Sequence, residues 1–338
     1  MELDKFPDSI RAGLDFCKKW LEGKEAFEQQ TSGSTGKPKI LSITRIRMIE
    51  SALATQRFFK TNPQSHLLCC LDTRYIAGKM MLVRAMVWDS PIRLVEPSSN
   101  PIENLNEDEQ MDFVAMVPLQ VQAALNDQTC IIKLKAIRNI IIGGAPISEN
   151  LKAELIESNI YAFQTYGMTE TVSHVALAKI DHNFLKYSVL PGVKIGTDNR
   201  GALWIESPMS GVDHIQTNDL VKLLTETDFK WLGRADFVIN SGGVKIHPEQ
   251  LEIKISNRIN EFYPNSAFFF SSKEDEKLGE KLVLFIESEN FNTEKLLNFK
   301  NSLHGSLSKF EIPKAVYILK QFTRTKSFKI DRLKTAKL

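Results

Sequence analysis

The sequence lacks the features that mark several classes of protein. It has only 4 cysteines in 338 residues, with no Cys-x-x-Cys pair, and its 6 histidines have no zinc-like spacing. The cysteines are therefore expected to be buried or incidental rather than metal ligands. No apolar run approaches the ~18 residues that a membrane span needs. The formal net charge is only +2, which argues against a general nucleic-acid binder.

What is present is typical of a globular α/β protein. Hydrophobic residues make up 43% and charged residues 25%, and the length suits one large or two ordinary domains. The start, Met-Glu-Leu-Asp-Lys-Phe-Pro, has no basic-then-apolar signal pattern, so the cytoplasm is the expected compartment.

Local patterns predict an alternation of helices and strands. Ile10, Leu14, Cys17 and Leu21 recur at helical spacing, which predicts a helix over 8–21 with these residues on its core face. A strand over 26–30 and a helix from about 43 to 59 should follow. Short apolar runs predict buried strands at 67–71, 113–118 and 140–144, and this order favours an open α/β sheet. Residues from about 192 to 224 read as short antiparallel strands in a small β-layer or barrel. A compact α/β unit should end the chain.

The most unusual stretch runs from Gln29 to Lys39 and reads Gln-Gln-Thr-Ser-Gly-Ser-Thr-Gly-Lys-Pro-Lys. Glycines let backbone N–H groups turn inward, hydroxyls donate further hydrogen bonds and lysines add charge, so the stretch could cradle an anion. A solvated polar loop is the alternative interpretation. It is not a Walker A loop, because the first glycine of that motif is missing and Pro38 stands where Ser or Thr is required.

This stretch resembles the phosphate-binding signature of the acyl-adenylate-forming superfamily, which includes acyl-CoA synthetases, luciferases and adenylation domains. The resemblance implies that ATP is bound by consecutive residues, namely Thr31, Ser32, Gly33, Ser34, Thr35, Gly36 and Lys37.

Two later segments resemble the adenine-binding parts of the same superfamily. Tyr166-Gly-Met-Thr-Glu170 matches its Tyr-Gly-x-Thr-Glu signature, which implies that Tyr166 stacks on adenine beside Gly167. By the same resemblance Thr169 contacts the α-phosphate and Glu170 holds Mg²⁺, a role that suits a hard carboxylate ligand. The second segment, Gly143-Gly-Ala-Pro146, resembles the adenine-binding turn and adds Gly144, Ala145 and Pro146 to the site. An ordinary strand-to-helix turn, with Ser148 capping the helix, is its alternative interpretation.

The ribose and hinge positions also have counterparts. Thr217-Asn-Asp219 resembles the superfamily's Thr-Gly-Asp, with Asn218 in place of glycine, and implies that Asp219 binds the ribose hydroxyls. In the stretch 233–249, Arg234 would approach the ribose and phosphate, and Asp236 would be the hinge. The resemblance implies a nucleotide- and acyl-binding domain at 1–233 and a mobile lid at 234–338, with 240–246 turning inward for the thiol step.

The tail Thr325-Lys-Ser-Phe-Lys-Ile-Asp-Arg332 resembles the segment that carries the adenylation lysine. Lys329 fits this role because Ile330-Asp-Arg332 sets the register, although Phe328 replaces the usual glycine. Lys326 is the weaker candidate. An exposed basic tail is the alternative interpretation.

Arg84 bears on the identity of the substrate. It lies in an almost wholly apolar helix, Gly78 to Trp88, and a guanidinium is rarely buried without an anionic partner. Either it pairs with Asp72, Asp89 or Glu96, or it clamps a substrate carboxylate through two parallel bonds. The second placement resembles the o-succinylbenzoate–CoA ligases, which must hold a second carboxylate.

The resemblance as a whole implies an AMP-forming acid–thiol ligase that uses ATP, Mg²⁺ and coenzyme A, with o-succinylbenzoate of menaquinone biosynthesis as the acid. Only 30 residues precede Thr31, so an N-terminally shortened acyl-CoA synthetase-like fold is expected. Another acyl-CoA ligase, or a stand-alone adenylation enzyme for a carrier protein, is the alternative within enzymes. A non-catalytic nucleotide-binding protein is the alternative of another class.

Overall fold

The computed structural model describes residues 5–30, 40–106, 109–212, 214–264, 266–289, 292–324 and 330–338. The predicted phosphate-binding residues Thr31 to Lys37 and the candidate lysines Lys326 and Lys329 lie outside these ranges. No helix in the described ranges is long and apolar enough to span a bilayer.

The elements alternate along the chain as the sequence patterns predict. The described helices are α1 (Asp8–Leu21), α2 (Arg45–Phe59), α3 (Ile76–Trp88), α4 (Pro118–Leu125), α5 (Gln128–Ala136), α6 (Glu149–Glu157), α7 (Pro248–Phe262), α8 (Thr293–Leu303) and α9 (Arg332–Thr335). The first thirteen strands are β1 (Ala26–Gln30), β2 (Ile40–Thr44), β3 (Leu67–Cys69), β4 (Ile92–Leu94), β5 (Phe113–Met116), β6 (Asn139–Ile142), β7 (Ala162–Gly167), β8 (His174–Lys179), β9 (Lys186–Val189), β10 (Lys194–Thr197), β11 (Ala202–Glu206), β12 (Ile215–Leu223) and β13 (Asp228–Arg234). The last five strands are β14 (Ile239–Ser241), β15 (Val244–Ile246), β16 (Phe268–Asp275), β17 (Gly279–Glu287) and β18 (Ala315–Leu319).

One large sheet organises most of the chain, in the order β10-β11-β12-β13-β9-β8-β7-β6-β5-β3-β4. Strands β3 to β7 pair in parallel, and the apolar runs of β3 and β5 are buried throughout. Such continuous apolar strands are buried on both faces, which requires helices on each side. Separate hydrophobic clusters accordingly lie on the two faces, one under α1 to α3 and the other under α4 to α6.

The antiparallel strands predicted between 192 and 224 are present, but they continue the main sheet instead of forming a separate layer. Strand β8 pairs with β7 and then with β9, and β9 pairs with β13. A sequence pattern of short strands does not reveal which edge they extend, because that depends on pairing far along the chain.

The first helix has the predicted limits, but its core face is only partly the predicted one. Cys17 packs against the core cluster. Leu21 is 78% exposed, whereas Phe16 and Trp20 are buried. Both rings contact Phe27 of β1, with centroids 4.7 and 5.9 Å apart. Aromatic side chains bury more apolar area than the aliphatic set at the predicted positions, so they decide which face packs.

A second sheet begins after β13. Its order is β15-β14-β17-β16, with β18 parallel to β17, and α7 and α8 cover it. The single-turn 3-10 helix Ala235–Phe237 connects β13 of the first sheet to β14 of the second. The compact α/β unit predicted at the end of the chain is present here, and it includes α8 and β17.

Candidate functional site

Most predicted site residues that the structure describes lie near the carboxyl ends of the parallel strands, where ligands of open α/β sheets bind. The turn after β6 contains Gly144 with φ +83°, a left-handed conformation that favours glycine. Ala145 presents its carbonyl to the side chain of Gln164 at 3.2 Å. Ser148 caps α6 by accepting from the Leu151 N–H at 3.1 Å, as the alternative interpretation of this segment expects. Gly144, Ala145 and Pro146 are all exposed, so the turn offers an open surface.

Tyr166 and Asp219 come together at this edge. The Tyr166 hydroxyl donates to Oδ2 of Asp219 at 2.8 Å, and Nε1 of Trp231 donates to Oδ1 at 3.2 Å. Burial and the adjacent charge of Asp219 raise the pKa of Tyr166 well above its ordinary value. The phenol therefore stays protonated and acts as a donor, while the carboxylate keeps lone pairs for a ligand.

Arg234 and Asp236 belong to the same polar group. Arg234 donates to Oδ2 of Asp236 at 2.5 Å, and its NH1 lies 3.8 Å from Oδ1 of Asp219. The side chain of Asn218 donates to Oδ1 of Asp236 at 2.9 Å. The residue that departs from the Thr-Gly-Asp pattern thus contacts the predicted hinge residue, which a glycine could not do.

Thr169 and Glu170 lie in a 3-10 turn directly after β7, and the Glu170 side chain is exposed. Arg47 of α2 holds this turn: it donates to the Glu170 carbonyl at 2.6 Å and to the Met209 carbonyl at 2.8 Å. Sequence reasoning missed Arg47, because nothing in the pattern of α2 distinguishes it from a solvated helical arginine.

The hydroxyl-rich stretch is flanked by the described hairpin β1–β2, in which Gln30 and Ile40 are paired. Gln29 is 5% exposed and accepts from Nζ of Lys79 at 2.9 Å. Lys79 lies in α3 and was not predicted. Burial lowers its pKa.

A register shift shapes the segment between β7 and β8. Tyr166 pairs with Ala176 but Gly167 pairs with His174, so β8 contains one extra residue, Val175. A Cβ atom on Gly167 would lie 2.4 Å from the Ser173 carbonyl oxygen, so only glycine fits there. Val172 has φ +65°, which is strained for a β-branched residue and marks a segment fixed by its surroundings.

Arg84 is buried, and it has no acidic partner among the residues that the structure describes. Its side chain is 1% exposed in α3, donates to Oγ of Ser173 at 3.0 Å and contacts the Met81 sulfur at 3.5 Å. Its Nε has no acceptor in the described part of the chain. Burial lowers the pKa of Arg84 to about 10. The guanidinium therefore stays charged near neutral pH in a site that does not neutralise it.

The structural salt bridge considered for Arg84 is not formed by any carboxylate in the described ranges. Asp72, one of the three candidates, instead pairs with Arg74 at 2.6 Å. The alternative that an anionic ligand supplies the missing charge is therefore the one that the geometry favours.

A cavity of about 540 Å³ lies beside the amino ends of β3, β4 and β5. This is the opposite edge of the sheet from Tyr166 and Asp219. Residues such as His66, Arg93 and Glu109 line the cavity, and the predicted site residues do not.

The chain is similar to several known proteins. The family model described as AMP-binding enzyme matches residues 20–197. A 2-succinylbenzoate–CoA ligase of Listeria innocua is 26% identical over an alignment of 366 positions, which covers 98% of this chain and 76% of the ligase.

Two solved structures are also similar. The acyl-CoA synthetase (AMP-forming)/AMP-acid ligase II-like protein from Dyadobacter fermentans is 38% identical with a TM-score of 0.65, and the match covers 98% of this chain and 94% of that one. The o-succinylbenzoate coenzyme A synthetase (MenE) from Bacillus subtilis, solved with ATP and magnesium, has a TM-score of 0.75 at 21% identity over 91% of this chain and 69% of that one.

Proposed function

Because this chain belongs to the AMP-binding enzymes, whose family model matches residues 20–197, we propose that it is an ATP-dependent acid–thiol ligase. It joins a carboxylic acid to AMP with release of pyrophosphate and then transfers the acyl group to coenzyme A. The observation that carries the proposal is a polar group at the carboxyl edge of the sheet, in which Tyr166 donates a hydrogen bond to Asp219 and Arg234 forms an ion pair with Asp219 at 3.8 Å. In this assignment Tyr166 stacks on adenine beside Gly144, Ala145, Pro146 and Gly167. Asp219 and Arg234 bind the ribose and phosphate.

The chemistry demands positioning and charge neutralisation. A carboxylate must approach the α-phosphate of ATP, so cations and N–H donors have to offset the accumulating negative charge. We assign this task to the residues of the 31–37 stretch, to Thr169 and to Lys329. Glu170 would hold Mg²⁺, which screens phosphate oxygens when it is bound. A single exposed carboxylate fits that ion, because Mg²⁺ usually takes one or two protein carboxylates together with substrate phosphates.

The second half-reaction needs the lysine out of the way and a thiol in its place. We propose that the units 1–233 and 234–338 move about Asp236 for this exchange. The hinge lies in the short turn between the last strand of one sheet and the first strand of the other. A single backbone segment joins the two sheets there, so rotation requires changes in only a few backbone dihedral angles. Residues 240–246, which contain the hairpin of β14 and β15, would then face the thiol.

The acid that we propose is o-succinylbenzoate, in menaquinone biosynthesis. Buried Arg84 would hold the carboxylate that is not activated, since a guanidinium binds a carboxylate through two parallel hydrogen bonds. The similarity to the Listeria ligase supports this choice. We place the reaction in the cytoplasm, where the free cysteines stay reduced.

Pyrophosphate release with a panel of acids, followed by addition of coenzyme A, tests the proposal. Wild-type protein is expected to release pyrophosphate with o-succinylbenzoate and to form its thioester. Arg84→Met should reduce kcat/KM for this acid by roughly a hundredfold or more and leave the Kd for ATP within about threefold. Arg84→Lys, which keeps the charge but not the planar fork, is the matched control and should retain part of the activity.

Each alternative has its own result. ATP binding without pyrophosphate release from any acid would indicate a non-catalytic nucleotide-binding protein. Acyl-AMP formation without transfer to coenzyme A would indicate a carrier-protein enzyme. Equal loss of ATP binding and acid use in Arg84→Met would refute the role of Arg84.

A further inference from the structure

A chain of hydrogen bonds leads from Arg84 into the core of the main sheet. NH2 of Arg84 donates to Oγ of Ser173 at 3.0 Å, and this oxygen lies 3.3 Å from Nδ1 of His174. Nε2 of His174 lies 3.3 Å from Oγ1 of Thr55, which donates to the Ser51 carbonyl at 2.9 Å. The imidazole is 4% exposed, so water does not replace these partners.

Counting hydrogens fixes the direction of every bond in this chain. The Ser51 carbonyl only accepts, so it takes the single hydroxyl hydrogen of Thr55. Thr55 must then accept from His174, which places the imidazole proton on Nε2. The lone pair of Nδ1 accepts the Ser173 hydroxyl hydrogen, and the oxygen of Ser173 is left to accept from Arg84. One neutral tautomer of His174 therefore satisfies the whole chain.

The environment favours that neutral form. Burial and the nearby positive charge of Arg84 lower the pKa of His174 well below its ordinary value. A protonated ring would have to donate from Nδ1 as well, which would turn the Ser173 hydroxyl away and add a second buried cation.

We propose that His174 is a positioning residue that orients the Arg84 guanidinium for the bound acid through Ser173. The inference rests on the proposed function, in which Arg84 holds a substrate carboxylate. A planar guanidinium binds a carboxylate well only in a narrow range of orientations. The bond to Ser173 fixes one end of the plane, and Nε, which has no partner within the described ranges, is left for the ligand.

A packing role would make different demands on the side chain. If His174 only fills space, a leucine of comparable size serves nearly as well as an asparagine. If it acts through Ser173, an acceptor near Nδ1 is what matters. Asparagine offers an oxygen there but does not reach Thr55, whereas glutamine reaches toward Thr55 but not toward Ser173.

The experiment compares kcat/KM for two acids in the pyrophosphate-release assay. One is o-succinylbenzoate and the other is benzoylpropionate, which has the same activated arm but no ring carboxylate. We expect His174→Leu and His174→Gln to lower the preference for o-succinylbenzoate by roughly ten- to a hundredfold, and His174→Asn to retain most of it. Rates with benzoylpropionate and the Kd for ATP should change by less than about threefold, because neither depends on Arg84.

Thr55→Val provides an independent test of the positioning role if the His174 variants fold poorly. It removes the acceptor that selects the tautomer, so the preference should fall by several-fold. Thr61→Val is the matched control. Like Thr55→Val it removes a buried threonine hydroxyl, but the Thr61 hydroxyl has no partner in the described ranges.

Equal effects of leucine and asparagine at 174, or equal effects of the two threonine variants, would overturn the inference. If Arg84→Met also leaves the preference unchanged, the assignment of Arg84 to the substrate carboxylate is wrong. If Arg84→Met abolishes the preference and the His174 variants do not, only the positioning role is wrong.

Discussion

Tyr166 and Asp219 are in direct contact although three strands separate β7 from β12 in the sheet. Four inter-strand steps of about 4.8 Å would hold them about 19 Å apart in a flat sheet. Their hydrogen bond of 2.8 Å therefore shows that the antiparallel half curls back over the end of the parallel half. The stacked rings of Tyr187 and Phe229, with centroids 5.3 Å apart, pack inside that curl.

The contributions of the Tyr166 hydroxyl and of the Asp219 charge to ATP binding can be measured separately. Tyr166→Phe removes the hydroxyl and leaves the ring and the Asp219 charge, so we expect the KM for ATP to change by less than about threefold. The loss of a partly buried hydrogen bond should reduce the free energy of unfolding by about 1 kcal/mol. Asp219→Asn removes the charge and should raise the KM for ATP by roughly tenfold or more. Steady-state kinetics and urea unfolding measure both effects. Similar KM increases in the two variants would show that the hydroxyl, not the carboxylate, binds the nucleotide.

The buried carboxyl group of Glu249 should make the free energy of unfolding depend on pH. Its side chain in α7 is 7% exposed, and Oε1 accepts from the Arg234 N–H at 3.3 Å. Burial raises the pKa of Glu249 from 4.5 to about 7. The positive charge of Arg332 opposes this increase, and the negative charge of Glu252 adds to it. The folded chain thus binds this proton more tightly than the unfolded chain. Stability should therefore fall as the pH rises from about 4.5 to about 7 and stay reduced above that.

Glu249→Gln tests this dependence, because glutamine keeps the acceptor and removes the titration. At pH 7.5 the variant should be more stable than wild type by up to about 3 kcal/mol, and at pH 5 by much less. Urea unfolding at several pH values measures the difference. Glu261→Gln, at an exposed position of the same helix, is the matched control and should change the free energy of unfolding by less than about 1 kcal/mol. A constant difference across the pH range would contradict the prediction.

Arg332 attaches the tail that follows the candidate lysine Lys329 to α7. It donates to both oxygens of Glu252, at 2.8 and 2.7 Å, and its guanidinium lies over the ring of Phe269 at 5.6 Å. Arg332→Leu and Glu252→Leu should each destabilise the fold, and a double-mutant cycle should give a coupling of about 1–3 kcal/mol.

The same anchor makes a functional prediction. If Lys329 acts in adenylation, loosening the tail should slow acyl-AMP formation more than thioester formation from supplied acyl-AMP. We expect Arg332→Leu to slow the first step by roughly tenfold and to leave the second nearly unchanged. Arg332→Lys should lie between wild type and Arg332→Leu, because it keeps the charge without the fork. Equal slowing of both steps would argue against a lysine that serves adenylation alone.

Much of the secondary structure could be predicted from local patterns. The limits of α1 and the cap at Ser148 follow from short-range rules, since periodicity and capping act within one or two turns. The burial of Arg84 could be predicted from the apolar helix that contains it. The full core face of α1 could not be predicted, because it depends on Phe27 in the next strand.

The missed parts of the site are contacts between segments far apart in the chain. Arg47 meets the Glu170 turn, Thr55 meets His174, and Asn218 meets Asp236. Arg47 and Thr55 have no periodic or motif signal of their own, and the motif that contains Asn218 does not reveal its contact with Asp236. Their roles depend on sheet pairing and on the curl that brings β12 over β7, which short-range patterns do not encode.

The extra residue at Val175 limits how the segment between β7 and β8 can evolve. Side chains alternate between the two faces of a strand, so inserting or deleting one residue after Gly167 would exchange the faces of β8. His174 would then point away from Thr55, and its neighbour would take its place. Positions in this segment without an assigned role, such as Met168, can be substituted, but a change in the length of the segment cannot be absorbed by a longer or shorter loop. Among homologous chains, the number of residues from Gly167 to Ser173 should therefore vary less than the identity of such positions.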